Sequence, residues 1–388
     1  MQQSLDELLS RGTSQCTDKK HLLARLHSGE KLRIKFGTDP TSPNLHLGRA
    51  VPLLKLRDFQ EMGHTIVFII GDFTATVGDT SDKDAERPML TPEQVETNKK
   101  TYLEQASKII DIDKAEIYHN TKWLGGLTYR EIGEQADIFS VADFIARSNI
   151  KDRLAAGKRV SLREMLYPLM QGYDSVMVKA DVEIGGNDQW FNLLAGRSMQ
   201  EKYHQPPQDI MTMDLIMGTD GRKMSSSWGN TINLTDSPVD MFGKIMRLVD
   251  TEIIPYFIHC TRIPLADIAT YERDLKHDAN PKDVKMKLAH EITKIYWGDS
   301  GADTGRDHFV NVIQNKEKPH EIGESAVSGK TIVQALILAG LAPSASDARR
   351  VIAQGGVKVD DTVVSDDSTI VTKGSVIQKG KREFRRVV

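Results

Sequence analysis

Cysteine is nearly absent: Cys16 and Cys260 are the only two in 388 residues. Two distant thiols build neither a disulfide framework nor a thiolate metal cluster, and they suit a reducing compartment. Long apolar runs are also missing. The densest, 66–70, is far shorter than the roughly 20 residues that cross a bilayer, so no membrane association is expected. The first seven residues, Met1-Gln2-Gln3-Ser4-Leu5-Asp6-Glu7, carry acids and no basic stretch ahead of an apolar one. A signal peptide is therefore not expected, and a cytoplasmic location is. Nor is there a chain-wide positive charge. The formal net charge is -3, which leaves any nucleic-acid contact to a local patch. The Gly-x-Gly-x-x-Gly turn of a dinucleotide-binding dehydrogenase does not follow the first strand. The stretch Gly323-Glu324-Ser325-Ala326-Val327-Ser328-Gly329-Lys330-Thr331 comes near a Walker A loop. It has five residues between its glycines where that loop has four, and it follows a polar linker in place of a buried strand, which excludes it.

The length suffices for two or three domains of roughly 100–200 residues each. Leu32-Arg33-Ile34-Lys35-Phe36 alternates apolar and polar residues, the period of a strand. A turn-rich stretch follows over 37–44, and then Leu47, Val51, Leu54 and Phe59 recur at helical spacing up to Gly63. Thr65-Ile66-Val67-Phe68-Ile69-Ile70 is a continuous, largely β-branched apolar run of the kind buried in parallel sheets. Further strands are predicted at 115–118 and 180–184. This alternation predicts an α/β domain over 1–233, a Rossmann-like doubly wound parallel sheet with ligands at the carboxyl ends of its strands. Beyond Leu234 the pattern turns helical over 241–249 and 281–297, giving an expected helical domain at 234–322. A polar linker is read over 317–329. Residues 326–388 are expected to form a small α+β unit, a short helix pair followed by β-branched runs at 356–361 and 369–371. That unit holds ten basic and six acidic side chains, a surplus of four positive charges. A compact basic module on an acidic body is an RNA-binding footprint.

Five segments carry polar groups that a ligand could use. The loop 37–49 joins a strand to a helix, whose first turn forms an anion site, and His46 and Arg49 share one face of that turn. Gly221-Arg222-Lys223-Met224-Ser225-Ser226-Ser227 is a basic, hydroxyl-rich loop able to close over phosphates. A polar loop at 79–87 adds Lys83 and Arg87. Tyr167, Gln171 and Asp174 stand at i, i+4 and i+7, one face of a helix. Gly185-Gly186-Asn187-Asp188-Gln189 follows a strand, where glycines permit close backbone approach.

Together these residues resemble the class I aminoacyl-tRNA synthetases, and among them the bacterial tyrosyl branch, over essentially the whole chain. His46-Leu47-Gly48-Arg49 is similar to the family's HIGH segment and Lys223-Met224-Ser225-Ser226-Ser227 to its KMSKS loop. The segment 331–388, with Ala348-Arg349-Arg350 and Gly355-Gly356-Val357-Lys358-Val359, resembles a small RNA-binding module shared with a ribosomal small-subunit protein. The joint order of the motifs is specific where each alone is not.

The resemblance implies a tyrosine–tRNA ligase that forms tyrosyl-adenylate from tyrosine and ATP and passes the tyrosyl group to the 3′ end of tRNA(Tyr). Positioning and charge stabilisation would carry the rate. It implies that Thr41 and His46 meet the γ-phosphate and the transition state, and that Lys83, Arg87 and Lys223 clamp the pyrophosphate. Asp39, Gly48, Arg49, Gly186, Asp188 and Ser226 would complete the ATP site. Asp79, Tyr167 and Gln171 would hold the substrate ammonium, Gln189 its polar head, and Asp174 its phenol. Lys35 stands where relatives place a tyrosine, and would donate to the phenol or point away from it. Arg349, Arg350 and Lys358 would contact RNA. No protein-bound metal is implied beyond Mg2+ carried by ATP. A homodimer through 132–153 is implied, with the helical domain on the anticodon side. Arg49 and Ser226 depart from the family's usual histidine and lysine. That leaves, as alternatives, a non-catalytic RNA-binding protein of the same fold, or a ligase for tryptophan or a modified amino acid.

Overall fold

Six strands build the sheet that carries the cleft. They are β1 (Thr13–Cys16), β2 (Arg33–Thr38), β3 (Thr65–Ile70), β4 (Glu116–His119), β5 (Val182–Gly186) and β6 (Asp209–Met213), in the order β1-β6-β5-β2-β3-β4. The computed structural model describes residues 4–79, 89–225, 228–277, 279–314, 322–380 and 383–388. Strands β2 to β6 run parallel, and β1 closes the β6 edge antiparallel. The chain leaves β2 for β3 on one side and returns to β5 on the other. That reversal is a switch point, where an open α/β sheet binds its ligands.

The physical cause is in the side chains. In β3, Ile66, Val67, Phe68 and Ile69 are fully buried, as a central strand covered on both faces must be. The helix Leu47–Glu61 crosses from β2 to β3 and buries Leu47, Val51, Leu54 and Phe59, the residues that recur at helical spacing. The helix Leu162–Val178 begins with a capping box of Ser161 and Glu164 and packs beside the helix Trp190–Lys202. Gly172 lets the two approach: a Cβ there would lie 3.0 Å from the Ala195 carbonyl.

The described residues divide into two compact units, 1–237 with 244–298, and 238–243 with 299–388. Beyond β6 the first unit continues in helices, Ile253–Cys260, Leu265–Lys276 and the start of Pro281–His308. This last helix is interrupted at Gly298 (φ 69, ψ -179). The second unit carries β7 (Glu324–Ser325), β8 (Val357–Val359), β9 (Thr362–Val363), β10 (Val376–Lys379) and β11 (Glu383–Val387), in the order β7-β11-β10-β8-β9. The helices Ile332–Leu338 and Ala345–Ala353 contribute Leu336, Ala348 and Ile352 to a core shared with Val357, Val371 and Ile377. Asp360 and Asp361, both at positive φ, turn β8 into β9. The predicted run at 369–371 makes one isolated bridge, Ile370 against Thr331, in place of a strand. Its backbone is spent on the loop ahead of Ile332, which it pairs through Ile332 N–H to Thr369 O at 2.7 Å. Among the described residues no helix is long and apolar enough to cross a membrane.

Candidate active site

One cleft of about 470 Å³ opens at the carboxyl ends of β2, β3 and β5. Its first wall is the loop after β2, with Asp39, Thr41 and His46. Its second is the helix Leu162–Val178, with Tyr167, Gln171 and Asp174. Gly186, Asp188 and Gln189 follow β5, and Lys223 stands at the mouth with Met224 and Ser225. Lys35, Gly48, Arg49 and Asp79 also line it. Every described residue expected at the ATP and tyrosine sites therefore lines one cavity. Lys83, Arg87 and Ser226 lie outside the described residues.

The closed end is a chain of hydrogen bonds. Asp174 accepts from Trp123 Nε1 at 2.7 Å and from Asn120 Nδ2 at 3.2 Å. Asn120 Nδ2 also reaches Thr74 Oγ1 at 3.0 Å, and Thr74 donates to Asp39 Oδ1 at 2.7 Å. Tyr167 donates to the other Asp39 oxygen at 2.8 Å. Gly71 makes this possible, because a Cβ there would stand 2.1 Å from Asp39 Oδ1. Burial pushes Asp174 up to about 7 against the opposing pull of Lys35, Trp123 and Asn120. Burial likewise pushes Asp39 up to about 6.

Beneath this floor lies an ion pair. Lys35 is 0% exposed, and its Nζ meets Glu183 Oε1 at 2.8 Å, Ser175 Oγ at 2.7 Å and the Gln171 carbonyl at 2.9 Å. An ammonium has three donors, and three protein oxygens occupy them. Against the expectation that it donates to the phenol or points away, the geometry shows the ammonium bonded to Glu183, Ser175 and the Gln171 carbonyl within the cleft's lining. Gln171 donates to the same carboxylate at 3.2 Å. Gln189 donates to Asp79 at 2.7 Å.

The open end is sparser. His46 is the residue before the helix Leu47–Glu61, in extended backbone, and makes no side-chain cap bond. Its Nδ1 is buried without a hydrogen-bond partner among the described residues, a costly arrangement that a ligand atom would relieve. Burial, then the charges of Arg49 and Lys223, push its pKa down to about 3, so the ring is neutral at pH 7. Lys223 Nζ lies 3.6 Å from Asp188 Oδ2. Its loop is pinned at the base by Asn230, which accepts from Ser225 N at 2.9 Å and donates to the Lys223 carbonyl at 3.1 Å. Met224 Sδ accepts from Gly48 N at 3.4 Å, joining the segments 46–49 and 223–225. Arg349 and Arg350 lie in the second unit, exposed on the helix Ala345–Ala353. Arg349 pairs with Asp367 at 3.2 Å and Arg350 with Asp347. Lys358 is half-buried on β8.

Thr74, Asn120, Trp123, Ser175, Glu183 and Asn230 carry parts of the site that the motifs do not announce. Two had a signal: Thr74 and Asn120 follow β3 and β4, the strand ends where such folds place ligands. A third was visible as a pattern. Lys35 and Glu183 are opposite charges inside two buried strands, and the register makes them partners.

The family model for tRNA synthetases class I (W and Y) matches residues 27–309, and that of the S4 domain matches 333–377. A tyrosine–tRNA ligase of Thermotoga maritima is 46% identical over 98% of this chain and 96% of its own length. The chain belongs to the tyrosyl-tRNA synthetase family. Another member, the tyrosine–tRNA ligase of Ralstonia nicotianae, is 45% identical over 93% of each chain. The family's fold is matched by the tyrosyl-tRNA synthetase of Archaeoglobus fulgidus complexed with L-tyrosine, at a TM-score of 0.62 and 21% identity. That alignment covers 78% of this chain and 100% of that one. A C-terminally truncated mitochondrial tyrosyl-tRNA synthetase of Aspergillus nidulans gives a TM-score of 0.64 at 20% identity, over 80% and 93%.

Proposed function

We propose that this chain is a tyrosine–tRNA ligase working in two steps in the cleft. The observation that carries the reading is the polarity of that one cavity. Its closed end offers the carboxylate of Asp174, oriented by two N–H donors, and its mouth is flanked by His46 and Lys223. A tyrosine whose phenol donates to Asp174 would direct its carboxylate towards the mouth. There a carboxylate oxygen attacks the α-phosphorus of ATP, the bond to the β-phosphate oxygen breaks, and pyrophosphate leaves. The neutral His46 ring donates a hydrogen bond to the triphosphate, with Thr41 beside it, and Lys223 meets the leaving charge with Lys83 and Arg87. Asp79, Tyr167 and Gln171 hold the substrate ammonium, Gln189 its polar head, and Gly186 and Asp188 the ribose. Mg2+ is taken as arriving on ATP. In the second step a terminal ribose hydroxyl of tRNA(Tyr) attacks the tyrosyl carbonyl and AMP leaves.

The sequence division stands as part of the proposal, with catalysis in 1–233, an anticodon-side helical part in 234–322 and RNA capture by 326–388 through Arg349, Arg350 and Lys358. So does a cytoplasmic homodimer. Its support is the exposure of Val141 (74%) and Ile145 (44%) within 132–153, with Tyr129 (95%) and Leu162 (85%) exposed on either side of it in sequence, as interaction surfaces do.

The test is amino-acid-dependent exchange between pyrophosphate and ATP, run with each of the twenty amino acids. Tyrosine alone should support it. No exchange with tyrosine, or equal exchange with phenylalanine, would overturn the reading.

A further inference from the structure

Arg49 lies in the first turn of the helix Leu47–Glu61, at the edge of the cleft. Its guanidinium is directed at protein groups. Nη2 donates to Thr41 Oγ1 at 2.8 Å, and Nη1 donates to the Asp39 carbonyl and the Tyr102 hydroxyl, both at 3.0 Å. Tyr102 is fully buried, and its own hydroxyl reaches the Asp39 carbonyl at 3.4 Å. The contact with Thr41 has only one chemical sense. A guanidinium cannot accept, so the threonine oxygen must, and its single hydrogen is left for another acceptor. Thr41 lines the cleft. Its O–H is thereby committed to donation, and a cation on its oxygen makes it a stronger donor.

We infer that Arg49 is a positioning residue that acts on ATP through Thr41, fixing the threonine hydroxyl as a hydrogen-bond donor to a phosphoryl oxygen. The inference rests on the ligase reading of the cleft. The backbone of the loop has other fastenings, since Asn98 donates to the Pro40 carbonyl and Thr101 and Gln105 to that of Pro43, each at 2.9 Å. Removing Arg49 therefore redirects a hydroxyl without releasing the loop.

A double-mutant cycle on the full chain tests this, read as kcat/KM for ATP in tyrosine-dependent pyrophosphate exchange. Arg49→Met and Thr41→Val should each lower it about tenfold, and the double variant should fall no further than the worse single one, because contacting residues couple. The KM for tyrosine should stay unchanged. Tyr102→Phe, which removes one of the two acceptors of Nη1, should give a smaller loss with the same split. Should Arg49→Met not fold, Arg49→Lys serves: its loss should be seen with Thr41 present and vanish beside Thr41→Val. Losses that multiply in either cycle would mean Arg49 touches ATP itself and would overturn this inference while the ligase reading stands. Absence of exchange in the unsubstituted chain would overturn both.

Discussion

Asp174 and Lys223 stand at opposite ends of one cleft, in unlike surroundings. Asp174 is buried, and Trp123 and Asn120 hold its two oxygens in a chain that runs through Thr74 to Asp39 and Tyr167. Lys223 is 38% exposed at its side chain, on a loop held by Asn230 and by the contact of Met224 with Gly48. The first arrangement commits donors and acceptors before any ligand comes, which favours discrimination. On the proposed reading, the second sets a half-exposed cation where charge passes from the α-phosphorus to pyrophosphate.

The strongest way to break the comparison is Asp174→Ala. A site built around a substrate hydroxyl can reject the analogue lacking it by about 10⁴–10⁵. Most of the tyrosine-over-phenylalanine ratio in kcat/KM should vanish, and a preserved ratio would show that the carboxylate is not the phenol's partner. Next comes Lys35→Met, which leaves the Glu183 carboxylate buried without its cation. Both side chains are at most 1% exposed, and breaking such a pair costs about 3–5 kcal/mol. Urea unfolding should register that loss, and Glu183→Leu beside it should restore most of it.

A pH series sharpens the contrast further. Asp174 is raised by burial to about 7, so between about pH 4 and 7 the folded chain holds a proton that the unfolded chain has lost. Its contribution to stability is therefore greatest at the acid side of that window and is lost as pH rises to 7. Asp174→Asn should remove that slope from unfolding curves. Tyrosine needs the ionised carboxylate as acceptor, so its Kd should fall about tenfold from pH 6 to pH 8. The smallest effect should come from Asn230→Ala at the mouth, a severalfold rise in the KM for ATP with the KM for tyrosine untouched. An equal rise in both would erase the distinction between the two ends.

Much of this was legible in the chain itself. The run Thr65-Ile66-Val67-Phe68-Ile69-Ile70 is β3 from end to end, because a strand buried on both faces must be apolar throughout. The strands β1, with sequence TSQC, and β6, with DIMTM, were not legible. One is a half-exposed antiparallel edge with no apolar period, and the other buries Asp209 and Thr212 as readily as its methionines. The site residues that were found lie in segments with a local pattern. Asn120 and Glu183 had weak local signals, a strand end for one and a charge in a buried strand for the other, but their partners Asp174 and Lys35 lie far along the chain, so no local motif joins them.

The distance between Lys35 and Glu183 has a consequence for how the protein is made. The lysine is synthesised 148 residues ahead of its carboxylate, a delay of roughly 7–30 s at about 5–20 residues per second. Throughout that interval β2 carries an uncompensated ammonium on what becomes the sheet's inner surface. Water must stay on it until a counter-charge arrives, because an ammonium buried alone is costly. The arrival of β5 supplies the counter-charge and the missing wall of the cleft together. The pair thus ties β2 to β5 at the register that sets Lys35 opposite Glu183.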